Sequence, residues 1–335
     1  MTVGAHNNSC PMCNKSKSLS RFSYIDLYWA SSKIFDGLSV EYCNECGFGF
    51  STPEIEDDVV NDFYTNIYRS PESPFFTAFS TMSSRPLSHN PRALAQLILA
   101  NHFVAFDSGD MFVDVGPGCG DSFLSAEYVL RNPKMMAVEL NDGAAMAYKR
   151  VYEVDTCESI DLLSEYAGEI KMILSSHSLE HFKLKEAMAF LEGIKKILSH
   201  QGVFVIEVPC VDMRIHSNIR RSGDSPHFMF FSKSSLRILL ESSGFEVLFM
   251  NSCGPKYDDW FAARNEKTTI QSPSRVKKMA KSIFQCMPIS IKRFIKSIYK
   301  KFTKDTINFD ADDFSYGGNR TCLRVVARPC HTSND

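Results

Sequence analysis

The chain has no run of eighteen uninterrupted apolar residues, and Met1 to Ser9 contain neither a basic segment nor an apolar one. No membrane span and no export signal are therefore expected. It also lacks an excess of either charge: 37 Lys and Arg against 39 Asp and Glu leave a formal net charge of −2, so no general pull toward nucleic acid is expected. Internal repeats are missing as well. The eleven cysteines are an odd number, which fits a reducing compartment better than a disulfide framework, so the expected location is the cytoplasm. What the 335 residues do have is an ordinary globular balance, 44% hydrophobic and 23% charged, enough for one main α/β domain with a smaller attachment.

Cys10 and Cys13 form one Cys-x-x-Cys pair and Cys43 and Cys46 another, on either side of an aromatic stretch with Phe22, Tyr24, Tyr28 and Trp29. This marks residues 1–50 as a small module. Four thiolates suit tetrahedral zinc and leave no open position for substrate, so a structural Zn2+ ion held by these four cysteines is expected. Free thiols or a redox pair are the alternatives. Residues 51–90 are acidic and then rich in Ser and Pro, with Tyr64 and Tyr68 in the middle, and read as a connector with limited regular structure. A helix is expected from Pro91 to about Ala105.

From Met111 onward short apolar runs alternate with helical patterns. The runs are Met111–Val115, Met135–Glu139, Lys171–Ser175, Val203–Val208, Phe245–Met250 and Thr321–Ala327, with a weaker one near Tyr152–Thr156. They predict a seven-stranded, doubly wound, Rossmann-like sheet over residues 91–330, with helices on both faces. Apolar residues recur at helical spacing over Leu184–Leu198, and Gly202 is expected to stop that helix. A helical insertion, residues 253–320, separates the last two strands, which are expected to pair antiparallel at the sheet edge. Within it, Arg275 to Lys304 holds ten Lys or Arg and no acidic residue, with two apolar stripes broken at Pro288. This basic hairpin (275–304) is either a solvated face over a packed stripe or a peripheral contact with anionic membrane or another polyanion.

Gly116, Gly118 and Gly120 directly follow a predicted strand and precede a predicted helix, a context in which backbone approaches a ligand closely. A nicotinamide-binding fingerprint would place its third glycine where Asp121 stands. Glu139 ends the next strand, where a carboxylate accepts hydrogen bonds from both ribose hydroxyls of an adenosyl group. A tight turn without ligand and a solvent-facing strand end are the alternative readings of these residues.

The every-second-residue glycine spacing after Asp114 resembles the first motif of the class I S-adenosylmethionine (SAM)-dependent methyltransferases. The segment Ser175, Ser176, His177, Ser178, Leu179, Glu180, His181 resembles the Leu-Glu-His signature after their fourth strand, and Pro226 to Ser232 followed by Gly244-Phe245 is similar to a later segment. The resemblance implies SAM as cofactor, bound by Asp114, Gly116, Gly118, Gly120, Asp121, Glu139, Ser176 and His177. An Asn/Asp-Pro-Pro-aromatic segment, carried by amino-directed DNA methyltransferases, is missing, which makes nucleic-acid amines poor candidates as substrates.

A four-cysteine module joined through a Tyr-containing connector to such a domain resembles the sugar C-methyltransferases, whose further C-terminal domain has no counterpart in this sequence. That resemblance implies a carbohydrate or other small-molecule acceptor, a catalytic base at His227, and Tyr64 and Tyr68 in the acceptor pocket. His181 is a further catalytic candidate, or else orders its loop together with Glu180. An RNA-directed methyltransferase or zinc-module RNA-binding protein, and an NAD-dependent oxidoreductase, share parts of the pattern.

Overall fold

The structure, a computed structural model, describes residues 9–15, 19–26, 29, 32–68, 70, 89–212, 226–259 and 312–330. The expected basic hairpin at 275–304 lies outside the described residues. Among them no helix is long and apolar enough to cross a membrane.

Among the described residues eleven strands form two sheets. The first contains β1 (Leu19–Ser23), β2 (Ser39–Cys43), β3 (Gly49–Thr52) and β9 (Met229–Phe230). The second runs β10 (Phe245–Lys256), β11 (Arg320–Pro329), β8 (Leu198–Pro209), β7 (Ile170–Ser176), β4 (Met111–Val115), β5 (Lys134–Val138), β6 (Asp155–Cys157). Neighbours from β8 to β6 pair in parallel, whereas β11 is antiparallel to both β8 and β10. The fold is thus the doubly wound α/β sheet that the alternation predicts, with the antiparallel pair at its edge.

All five residues of β4 are buried, as a central strand covered on both faces requires. Alternation divides its side chains. Val113 and Val115 point into the core filled by α5 (Leu184–Ile197) and α6 (Lys233–Ser242), through Leu191, Ile194, Leu236 and Leu240. Phe112 points into the opposite core, under α2 (Pro91–Asn101), α3 (Asp121–Val129) and α4 (Asp142–Tyr152), through Leu97, Phe123 and Tyr148. The starts of α2, α4 and α6 are capped by side chains, which satisfies orphan N–H groups. Asn90 accepts from the Arg92 amide at 3.0 Å ahead of Pro91, Asn141 from the Ala144 amide at 3.0 Å, and Ser232 from the Ser235 amide at 3.2 Å.

Several boundaries differ from the sequence-based ones. Helix α5 stops at Ile197 rather than at Gly202. Gly202 serves a close approach instead, since a Cβ there would lie 2.9 Å from the Ile170 carbonyl oxygen. Helix α4 continues through Tyr152, so the weak strand is confined to Asp155–Cys157. Strand β10 extends to Lys256, past the expected start of the insertion, because its pairing with β11 continues to Arg320 through a bulge. The connector is also more regular than its composition implies: α1 (Asp57–Asp62) passes directly into a π-helical turn at Phe63–Ile67 that carries Tyr64.

The two sheets are joined through backbone. Strand β9 adds to β3, pairing Gly49 with Phe230 and Phe50 with Met229, and the Ser232 hydroxyl donates to the Cys46 carbonyl at 2.7 Å. Inside the large sheet lies an ion pair: Arg324 on β11 and Glu207 on β8, 0% and 1% exposed, meet at 2.7 Å through Nε and Oε2. Gln96 of α2 donates to the same carboxylate oxygen at 3.0 Å. Removing one member of a buried pair leaves an uncompensated charge, costing about 3–5 kcal/mol. Arg324→Met is expected to lose that much in urea unfolding, and the double variant Arg324→Met, Glu207→Gln clearly less; an Arg324→Met chain as stable as wild type would show that the pair is not a structural requirement.

Candidate active site

The turn after β4 is built from three left-handed glycines, each with its own neighbour. A Cβ on Gly120, φ +71°, would lie 2.5 Å from the Tyr152 ring, and one on Gly116 would lie 2.6 Å from the Ser178 hydroxyl. Gly118, φ +60°, faces open space, with nothing within 4 Å. Two glycines therefore let the turn pack on α4 and on the loop after β7, and the third leaves a backbone cradle bare. Tyr148 holds that cradle with its hydroxyl 2.8 Å from the Gly118 carbonyl. The same hydroxyl lies 3.1 Å from Glu139 Oε2, while Glu139 Oε1 accepts from the Asn141 amide at 3.1 Å. Glu139 is thereby fixed at the end of β5 beside Gly118.

Asp114 lies beneath the turn, 2% exposed. One carboxylate oxygen accepts from the Ser122 hydroxyl, and the other, Oδ1, is buried without a hydrogen-bond partner. Burial raises its pKa to about 7, with the Glu139 charge adding to the rise and the Ser122 hydrogen bond opposing it. An orphaned, half-ionised carboxylate beneath a bare glycine cradle fits a ligand that carries positive charge, as SAM does. Asp121 opens α3 and accepts from the Asn90 side-chain amide at 2.8 Å.

The loop after β7 touches this turn at Ser178, whose hydroxyl donates to the Val115 carbonyl at 3.0 Å. On its other side a second set of groups converges. The rings of His181 and His227 lie 5.0 Å apart. The Tyr64 hydroxyl lies 3.0 Å from His181 Nδ1 and donates to the Pro226 carbonyl at 3.1 Å, and the Tyr68 ring is 6.1 Å from that of His181. The Asn141 amide donates to the Thr65 carbonyl at 3.3 Å, linking the π-helical turn to the Glu139 side. All four catalytic candidates are thus brought together, next to the glycine turn. Burial lowers the pKa of His227 to about 3, reinforced by His181, and burial lowers that of His181 against the pull of Glu180. Both imidazoles stay neutral with a lone pair available.

Ser176 and His177 are engaged by the protein itself. The Ser176 hydroxyl accepts from Gln96 at 2.8 Å. His177, at φ +55°, places Nδ1 3.3 Å from Glu180 Oε1 and Nε2 3.7 Å from Glu207 Oε1. Burial works against its charge, but Cys322 and the two carboxylates prevail and raise its pKa well above the ordinary value. Glu180 is held at about 2: burial would raise it, and His177 and the other two histidines lower it. The sequence reading missed Glu207, Arg324 and Gln96. The available signal was a charge inside each of two otherwise apolar strand segments, Val203–Val208 and Thr321–Ala327, since buried charges occur in pairs.

In the N-terminal sheet, Cys10 and Cys46 Sγ lie 3.7 Å apart, as do those of Cys13 and Cys43. All four sulfurs fall within 4.8 Å of one another. A tetrahedron with Zn–S bonds of about 2.3 Å has edges of about 3.8 Å, so the four cysteines fit zinc. A cleft of about 550 Å³ between this sheet and α5, lined by Phe50, Ile55, Lys183, Met188 and Phe228, contains none of the expected site residues.

Residues 87–248 match a family described as a methyltransferase domain. No curated protein matches the chain. Similar solved structures include a methyltransferase in complex with the Trm112 activator from Haloferax volcanii (15% identity, 73% of this chain and 92% of that one, TM-score 0.46). Others are a SAM-dependent methyltransferase from Archaeoglobus fulgidus (15%, 71% and 94%, 0.41) and phosphoethanolamine N-methyltransferase 2 from Haemonchus contortus in complex with SAM (13%, 84% and 62%, 0.47).

The Asp114 carboxyl gives a pH test. Its folded pKa of about 7 lies above the ordinary 3.8, so between those values the folded state holds the proton that the unfolded state has lost, and stability falls as pH rises. Urea unfolding from pH 4 to 7 should show this slope reduced in Asp114→Asn. An unchanged slope would mean that Asp114 is ionised throughout.

Proposed function

We propose that the methyltransferase domain at residues 87–248 transfers the methyl group of SAM to a carbohydrate acceptor held among Tyr64, Tyr68, His181 and His227. The observation that carries this reading is the adjacency of two dissimilar half-sites. A bare, acid-flanked glycine cradle touches the histidine and tyrosine cluster through Gly116 against Ser178 and Asn141 against Thr65. SAM supplies a methyl carbon on a sulfonium that leaves as a neutral thioether. The chain's part is to align the acceptor with that carbon and to remove one proton.

In this reading Gly118 and its neighbours admit the cofactor backbone, Glu139 accepts from the ribose hydroxyls, and Asp114 faces its positive end. His227, which burial keeps neutral at rest, takes the acceptor proton. Tyr64 and Tyr68 offer ring faces to the apolar side of a sugar and hydroxyls to its polar edge, in keeping with the resemblance to sugar C-methyltransferases. We assign residues 1–50 to a zinc module, 51–90 to the connector that brings these tyrosines in, and 91–330 to transfer. The odd number of cysteines suits a reducing, cytoplasmic setting.

Glu139→Ala removes a two-oxygen acceptor and is expected to weaken SAM binding by about 100-fold in calorimetry. His227→Ala should lower turnover by about 100-fold or more and leave that affinity nearly intact. Full activity in the latter would remove His227 as the base. Transfer of labelled methyl from SAM to a panel of nucleotide-sugars and lipid-linked glycans, with the product atom located by NMR, tests the acceptor class; transfer to RNA or to an amine alone would overturn it. For the module, one zinc per chain is expected by elemental analysis, with Cys43→Ser losing the metal and melting at a lower temperature. A stable, metal-free wild type would count against zinc.

A further inference from the structure

We infer that Glu180 is a positioning residue for methyl transfer, supplying the counter-charge that lets His227 accept a proton, with His177 as its permanent partner. This rests on the reading of His227 as the base. The carboxylate of Glu180 is 1% exposed, and neither of its oxygens has a hydrogen-bond partner. Its Oε1 faces His177 Nδ1 at 3.3 Å. A carboxylate oxygen of Glu180 and one ring nitrogen each of His181 and His227 lie within 4.8 Å of one another. A buried anion, paired in charge with His177 and with both oxygens lacking a hydrogen bond, thus sits beside the two imidazoles.

The chemistry needs such a group. As the acceptor–H bond breaks, its electron pair forms the new bond to the methyl carbon, and the pair of the S–CH3 bond stays on sulfur. The proton becomes the N–H of His227. The imidazolium so formed is partly buried beside the rings of His181 and Phe230, where an unpaired cation is poorly stabilised. Glu180 offsets it at short range in a low dielectric. The carboxylate must itself stay ionised while buried, and His177 provides for that. The His177 ring is clamped between Glu180 and Glu207, and Glu207 is in turn held by Arg324 at 2.7 Å. The facing charges are Glu180, Glu207 and Asp313 against His177, Arg324 and Arg92, with Cys322 and Tyr64 as neighbouring groups.

The test compares Glu180→Gln, Glu180→Asp and His227→Ala in the full-length enzyme, measuring kcat, the KM for SAM and histidine ring protonation by 15N NMR. Glu180→Gln is expected to lower kcat by about 100-fold with the KM for SAM within about threefold of wild type. It should also convert the charged His177 ring to the neutral form at pH 7, an effect that disturbed packing would not produce. Glu180→Asp, which keeps the charge, should recover at least about tenfold of the lost kcat. Wild-type kcat in Glu180→Gln, with His227→Ala inactive, would overturn the role of Glu180 alone; a fully active His227→Ala would overturn the base reading beneath it. A KM for SAM that rises in step with the loss of kcat, or a second metal ion per chain whose chelation alters the His181 and His227 signals, would also refute the proposal.

Discussion

Burial of charge is the constraint around which the site is arranged. Arg324, Glu207, His177 and Glu180 follow one another from the middle of the large sheet to the cluster of His181 and His227. Each is tolerable out of water only because the next compensates it. Gln96 crosses from α2 to bind both Glu207 and Ser176, so the helix that opens the domain is tied to the same series. The left-handed backbone of His177, unusual for a residue with a side chain, aims its ring between the two carboxylates. Four charges that would each be costly alone become a rigid, nearly neutral support for the loop that carries His181.

The second structural dependence is the way the N-terminal sheet borrows its last strand. His227 immediately precedes the segment that joins β3 as β9, and the Tyr24 hydroxyl donates to its backbone carbonyl at 2.9 Å. The four cysteines are therefore linked to His227 through backbone. They hold β2 and the turn after it, β3 pairs with β9, and β9 sets where His227 stands. Trp29, Phe35 and Phe63 form the packing on which the Tyr64 turn rests, with Trp29 and Phe63 in an edge contact at 5.0 Å. A small unit that buries little apolar surface gains from a metal cross-link, and here the same cross-link would stiffen one wall of the acceptor pocket.

Much of the fold was legible from residue patterns, because the period of apolar residues reports local geometry directly. All six stronger strand runs and the helix from Leu184 appear where their spacing places them, within a few residues. The glycine turn was legible too, since only glycine adopts such a conformation readily next to a ligand. Element ends were less so. The end of α5, the length of β10 and the π-helical turn at Tyr64 depend on contacts with distant residues, such as Arg320 opposite Lys256.

The sequence by itself determined the alternating α/β order, the glycine turn followed by Glu139, the paired cysteines and a short set of histidines and tyrosines, all of which are local in the chain. Only the tertiary structure decided which of these meet. It placed Tyr64 on His181 across 117 positions and Arg324 on Glu207 across another 117, and it separated the bare Gly118 from Gly116 and Gly120, which pack against side chains. It also set His177 between Glu180 and Glu207. The physical reason is that burial and charge compensation are properties of neighbours in space, and local spacing carries no record of which distant residue will supply the opposite charge.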